Sequence, residues 1–220
     1  VGSFLLQRRF KPHIITFYRF ARAIDDIEDT NTIKATEKIE RLSGFENVIL
    51  GKDTQSEGYE KAQLMRLSLQ QTGVTHQHCI ELIRAFKQDA TKLRYETWKE
   101  LIAYCQMSAA PVGRYLLDLH GESNKFYEAS DALCNALQVL NHLQDCKDDY
   151  ATLNRVYLPQ DWMKTNGLTV NCFRASHSMP EFQSLKLQIL DSTALLLGLA
   201  ENLPRVLKSR RLAMETGAIL

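Results

Sequence analysis

The sequence contains few of the residues that interrupt helices or form tight turns. Its 220 residues include only five prolines and ten glycines. No Asn-Gly or Asp-Gly pair is flanked by strand-like segments, as a β-hairpin would require. No alternation of polar and apolar residues is long enough to predict a strand. These absences exclude a mainly β architecture and favour one built from helices.

Cysteines and long apolar runs are also scarce. The five cysteines are odd in number and include no Cys-x-x-Cys pair, so neither a disulfide framework nor a zinc site is expected. We expect buried structural thiols in a reducing cytosol instead. The apolar run at 194–197 is far shorter than the roughly 20 residues of a membrane span. A net charge of +1 gives no basic footprint for nucleic acid.

The composition is that of a globular domain. Hydrophobic residues make up 45% and charged residues 24% of the chain, which excludes a disordered polymer. The dominant period is near 3.6, and we predict a single all-α domain over residues 1–220. The predicted helices are 11–29, 34–50, 57–72, 76–93, 98–120, 125–150, 180–203 and 205–219.

The first predicted helix has an apolar stripe that turns acidic in its last turn. The stripe consists of Ile14, Phe17, Tyr18 and Ala21. Its next positions are Asp25 and Glu28, and Asp29 follows Asp25 by four residues on the same side. These carboxylates stand near a helix C-terminus, where the macrodipole disfavours anions.

The sixth predicted helix repeats this pattern. An apolar stripe of Leu133, Leu137 and Leu140 continues as Asn141, Gln144, Asp145 and Asp148. Asp149 follows Asp145 by four residues, so two helices end a core-facing stripe in Asp-x-x-x-Asp. One acidic run at a helix end is usually a solvent-exposed surface. Two such runs, each continuing a core-facing stripe, rarely arise by chance.

Neighbouring carboxylates on a buried face repel each other unless a cation neutralises them. Mg²⁺ takes one or two carboxylates from a motif and completes its shell with water and phosphate oxygens. Two facing motifs could therefore hold Mg²⁺ around a diphosphate and promote its departure from an allylic carbon. Neither run has the glycine and glutamate spacing of an EF-hand.

Six motifs resemble, in order, those of the squalene/phytoene synthase family of head-to-head prenyl synthases. They are residues 1–4 (VGSF), 18–29 (YRFARAIDDIED), 89–95 (DATKLRY), 104–113 (YCQMSAAPVG), 141–149 (NHLQDCKDD) and 155–159 (RVYLP). Within the family the sequence looks closest to the bacterial HpnC branch of hopanoid biosynthesis. Gln144 stands where most squalene and phytoene synthases have arginine. Relative to the family, the chain looks shortened at both ends.

The resemblance implies an isoprenoid-synthase-type helical bundle around a central hydrophobic cavity, with Mg²⁺ as cofactor. The implied metal ligands are Asp25, Asp29, Asn141, Asp145 and Asp149, with Asp26, Glu28 and Asp148 as further candidates. The implied substrate-binding residues are Ser3, Phe4, Arg22, Arg94, Asn141, Gln144, Arg155 and Tyr157. Tyr104, Asp25 and Asp145 are implied to act in catalysis, Tyr104 beside a carbocation.

The activity implied for this branch is conversion of presqualene diphosphate and water to hydroxysqualene and diphosphate, with no NADPH expected. Alternatives are condensation of two farnesyl diphosphates, or of two geranylgeranyl diphosphates to phytoene, an ordinary terpene cyclase, and a non-enzymatic assembly factor. The expected partner is a prenyl diphosphate rather than a nucleic acid, and the sequence leaves the oligomeric state open. A cytoplasmic protein is expected, and the basic residues Lys208, Arg210 and Arg211 weakly suggest peripheral contact with the inner membrane face.

Overall fold

A computed structural model describes residues 7–30, 32–53, 57–175 and 179–220. Ser3 and Phe4 lie outside these residues. The described chain forms α1 (Lys11–Asp29), α2 (Ala35–Leu50), α3 (Glu60–Thr72), α4 (Gln77–Asp89), α5 (Trp98–Ser108), α6 (Ala110–Leu119), α7 (Tyr127–Leu153), α8 (Gln160–Thr165), α9 (Pro180–Ala200), α10 (Leu203–Val206) and α11 (Arg210–Ile219). Short 3₁₀ helices span Asn124–Phe126 and Val170–Arg174. The all-α prediction is confirmed.

The predicted helix 98–120 is two helices in the structure. Ala109, with φ −123° and ψ −47°, leaves helical geometry between α5 and α6. Pro111 explains the break, because proline lacks an N–H and its ring clashes with the carbonyl four residues earlier. The predicted helix 205–219 is likewise divided into α10 and α11, where the Ser209 side chain caps the first turn of α11. Helix α8 and the 3₁₀ helix Val170–Arg174 lie outside the predicted helices, and the 3₁₀ helix Asn124–Phe126 forms the start of the predicted helix 125–150.

The apolar side chains pack into two cores. The first joins α1 to α4 with α6 and contains Phe20, Leu42 and Met65. The second joins α5, α7 and α9 and contains Leu101 and Leu185. Among the described residues, none of the helices combines the length and hydrophobicity of a transmembrane span. All five cysteines are free; three are buried and two are half-buried.

The segment after α7 packs into the second core, which contains Val156, Tyr157 and Leu158. Asn154 ends α7 in the left-handed region, with φ 52°, which asparagine tolerates better than most residues. Arg94 donates to the Asn154 backbone carbonyl and, at 2.8 Å, to its side-chain oxygen. The Val156 N–H donates to the Leu93 carbonyl at 2.9 Å. These bonds place Arg155 beside Glu28 of α1 and Asp89 of α4. They also bring the Tyr157 ring against Tyr104 of α5 and His142 of α7.

Candidate active site

A cavity of about 410 Å³ lies between the C-terminal halves of α1 and α7. Ten residues predicted from the sequence line it: Arg22, Asp25, Glu28, Asp29, Tyr104, Asn141, Asp145, Asp149, Arg155 and Tyr157. Within the described part of the chain, Phe86 and Leu153 are the apolar lining residues beside the tyrosines. Among the described residues, the lining of this cavity is thus mostly polar, while most apolar side chains pack into the two cores.

The stripe predicted on α1 is partly wrong. Tyr18 is 44% exposed, whereas Phe20 and Ile24 are fully buried. The buried face of α1 therefore lies beside the stripe drawn from the sequence, and Glu28 continues that face. Asp25 lies at its edge, half-buried and facing the cavity.

Carboxylates from the two helices face each other across the cavity. Burial, reinforced by repulsion from Asp29, raises the pKa of Asp25 to about 6. Burial and repulsion from Asp145 likewise raise the pKa of Asp149 to about 6, and Asp29 on the opposite wall adds to this rise. The pKa of Asp29 is also raised, chiefly by burial. The protein itself leaves this negative charge only partly neutralised.

This donor set fits Mg²⁺, which prefers carboxylate and amide oxygens. Among the described residues, no three acidic, histidine or cysteine side chains converge as a ready-made metal site. A cation held between the walls would therefore need further ligands from water or from a phosphate, as Mg²⁺ usually does. Arg22 lies at the rim and donates to Asp25 at 2.7 Å and to Asp26 at 2.9 Å.

Glu28 forms a buried ion pair and does not act as the metal ligand that the resemblance implies. It is 1% exposed and forms an ion pair with Arg155, whose Nη1 donates to Glu28 Oε2 at 2.9 Å. A second bond runs from Arg155 Nη2 to Glu28 Oε1. Lys38 donates to the Glu28 backbone carbonyl and lies 3.8 Å from its carboxylate. A carboxylate bound by two cations has no need of a metal.

Other candidates lie away from the cavity. Asp26 lines a separate surface cavity with Arg41 and Tyr59. Asp148 is exposed. Gln144 is also exposed and does not line the site, and Arg94 is bound to Asn154. Residues spaced by three or four positions cover a broad face of a helix. This spacing alone therefore cannot distinguish the residues of α7 that face the cavity from those on the adjacent side.

The floor of the cavity contains a buried carboxylate that the sequence analysis assigned no role. Asp89, which is 2% exposed, accepts hydrogen bonds from the Tyr104 hydroxyl and, at 3.3 Å, from the Tyr95 hydroxyl. Burial raises the pKa of Asp89 to about 7. Burial and the neighbouring Asp89 also hold the pKa of Tyr104 well above its usual value. The sequence signal that could have identified Asp89 was its position at the start of the 89–95 motif.

Three further polar residues of the lining were also missed. The His142 ring stacks on Tyr157 with centroids 3.6 Å apart, and its Nε2 lies 3.1 Å from Gln138 Nε2. Burial, together with the charge of Arg155, lowers the pKa of His142 to about 3, so the imidazole is neutral. Ser108 Oγ is buried, and none of the residues that the structure describes forms a hydrogen bond with it. Ser108 and His142 lie within the 104–113 and 141–149 motifs, which was the available signal, whereas Gln138 lies outside both motifs.

Comparison with known proteins gives a consistent result. A family model for squalene/phytoene synthase matches residues 1–219. The whole chain is 42% identical to a hydroxysqualene synthase of Rhodopseudomonas palustris, covering 74% of that protein. It is 38% identical to one of Zymomonas mobilis, covering 73% of it.

Solved structures agree. A squalene synthase HpnC from Alicyclobacillus acidocaldarius superposes with a TM-score of 0.85 at 27% identity, over 99% of this chain and 81% of that one. A dehydrosqualene synthase shares the fold, with a TM-score of 0.78 at 21% identity over 96% of this chain and 73% of that one. The chain therefore belongs to the squalene/phytoene synthase family, and it is an enzyme of that family.

Proposed function

We propose that this enzyme converts presqualene diphosphate and water to hydroxysqualene and diphosphate. The observation that carries the proposal is the pair of facing carboxylate walls, built by α1 and α7 over a floor of tyrosines. The relatives named hydroxysqualene synthase at 38–42% identity support this substrate and product.

The metal-binding part of the proposal rests on five oxygen donors. Asp25 and Asp29 would hold Mg²⁺ from α1, and Asn141, Asp145 and Asp149 would hold it from α7. Bound there, Mg²⁺ would supply charge neutralisation for the departing diphosphate.

The remaining lining residues orient the substrate and shelter the cation formed from it. Arg22 at the rim offers a guanidinium to diphosphate oxygens. Arg155, fixed by Glu28, donates to the Tyr157 hydroxyl at 3.1 Å and adds positive charge to the floor. The ring of Tyr104 can stabilise a carbocation through its face. Its hydroxyl donates to Asp89, which fixes the ring.

Product analysis by gas chromatography–mass spectrometry tests the proposal. Purified protein with Mg²⁺ and without NADPH is incubated separately with presqualene diphosphate and with farnesyl diphosphate. We expect hydroxysqualene from the first and no turnover of the second. Consumption of farnesyl diphosphate would instead identify a condensing synthase, and loss of Mg²⁺-dependent diphosphate binding in calorimetry would favour a non-enzymatic role.

Peripheral membrane contact is a second part of the proposal, since the substrate is a lipid. Three leucines of α9, namely Leu187, Leu195 and Leu199, are at least 61% exposed. The basic residues of the α10–α11 junction, Lys208, Arg210 and Arg211, are exposed as well. Liposome flotation at low salt checks this, and absence of binding to anionic vesicles would contradict it.

A further inference from the structure

We infer that Ser108, Gln138 and His142 hold the water molecule that captures the substrate carbocation. The inference rests on the proposed function. It names the residues that position water to react with the carbocation and so end the reaction. All three side chains line the same cavity as the carboxylate walls, together with Tyr104.

Packing of α5 against α7 brings these residues to one place. The Tyr104 ring on α5 lies 5.9 Å from the His142 ring on α7. Farther along the chain, a Cβ on Gly113 would collide with Ser130 and Cys134. Helix α7 therefore runs antiparallel to α5 and α6, so residues later in α5 and α6 contact residues earlier in α7. Ser108, one turn after Tyr104, faces Gln138, one turn before His142.

The chemistry of these groups suits a water molecule. A buried hydroxyl without a partner costs about 1–3 kcal/mol, and Ser108 Oγ is such a group. A buried water normally needs two to four polar partners and enough room. Ser108 offers a hydroxyl, Gln138 an amide carbonyl and His142 an imidazole within a cavity of about 410 Å³. The pair Gln138–His142, at 3.1 Å, fixes the orientation of the amide.

The Tyr104 ring indicates where this water lies relative to the substrate carbocation. Tyr104 is one helical turn from Ser108 and touches His142, so a cation over the Tyr104 ring lies next to the water. The water oxygen forms the new C–O bond, and its proton passes to an oxygen of the released diphosphate. Presqualene diphosphate and water thus give hydroxysqualene and hydrogen diphosphate, with no oxidant or reductant.

The test separates ionisation from water capture. Ser108→Ala and Gln138→Leu are compared with the wild type on presqualene diphosphate, with diphosphate release and organic products measured in parallel. Ser184→Ala and Gln71→Leu serve as controls, since both residues are exposed and lie outside the cavity. We expect each cavity variant to release diphosphate within about threefold of the wild-type rate. We also expect the ratio of hydroxysqualene to elimination hydrocarbons to fall about tenfold, the effect of one lost hydrogen bond.

An unchanged product ratio would overturn the inference. So would a parallel fall in diphosphate release and hydroxysqualene, because a purely structural defect reduces both together. His142→Phe, which retains an aromatic ring against Tyr157, should shift the ratio in the same direction. A wild-type protein that releases no diphosphate from presqualene diphosphate would contradict the proposed function, which is a distinguishable result.

Discussion

Replacing Glu28 by glutamine should destabilise the fold far more than an ordinary carboxylate-to-amide change. The side chains of Glu28 and Arg155 are 2% and 5% exposed, so solvent cannot replace the lost charge. Removing one member of a buried ion pair typically costs about 3–5 kcal/mol, because the other charge remains buried and unpaired. Domains of ordinary stability unfold with only about 5–15 kcal/mol, so this loss is a large fraction of the total.

Urea unfolding followed by circular dichroism measures this difference directly. The matched control is Glu37→Gln, because Glu37 pairs with Arg41 at 2.6 Å on the surface of α2, with side chains about half-exposed. Surface pairs of this i, i+4 type contribute about 0.3–0.5 kcal/mol. We expect Glu28→Gln to lower the free energy of unfolding by about 3–5 kcal/mol with an unchanged denaturant slope. A loss below about 1 kcal/mol, or one equal to the control, would refute this reading of the pair.

Three further predictions concern the cavity. Because the pKa of Asp25 in the folded protein is about 6 against 3.8 for an ordinary aspartate, metal-free protein should lose stability as the pH rises from about 4 to about 6. Asp25→Asn should then raise the thermal midpoint of unfolding at pH 8, measured by calorimetry, by about 2–4 °C, and a lower midpoint would contradict this. The same substitution should lower Mg²⁺-dependent turnover at least about tenfold. Tyr104→Phe removes a donor from buried Asp89 and should cost about 1–3 kcal/mol in urea unfolding, and a change below about 0.5 kcal/mol would show that the bond contributes little. Gln144→Ala should keep turnover within about twofold, since the residue is exposed outside the cavity, whereas a tenfold loss would restore its predicted role in phosphate binding.

The sequence by itself determined most of the long helices and the two acidic motifs. Scarce breakers and a 3.6-residue period are local properties, so helix positions follow from neighbouring residues alone. The Asp-x-x-x-Asp spacing is local as well, and it places Asp25 and Asp29 on one side of α1 and Asp145 and Asp149 on one side of α7. The structure shows that these four residues line one cavity. Pro111 is visible in the sequence too, although the predicted helix 98–120 runs through it.

Only the tertiary structure decided how the polar residues pair. Glu28 and Arg155 are 127 positions apart, and no local pattern indicates that one neutralises the other. The same holds for Asp89 with Tyr104 and for Arg94 with Asn154. Helix periodicity places a side chain only to within a broad face, so it did not separate Asp145 from Gln144 or Asp25 from Glu28. Burial and partner choice are set by packing between distant segments, and these decide whether a carboxylate is available to a metal or already bound by an arginine.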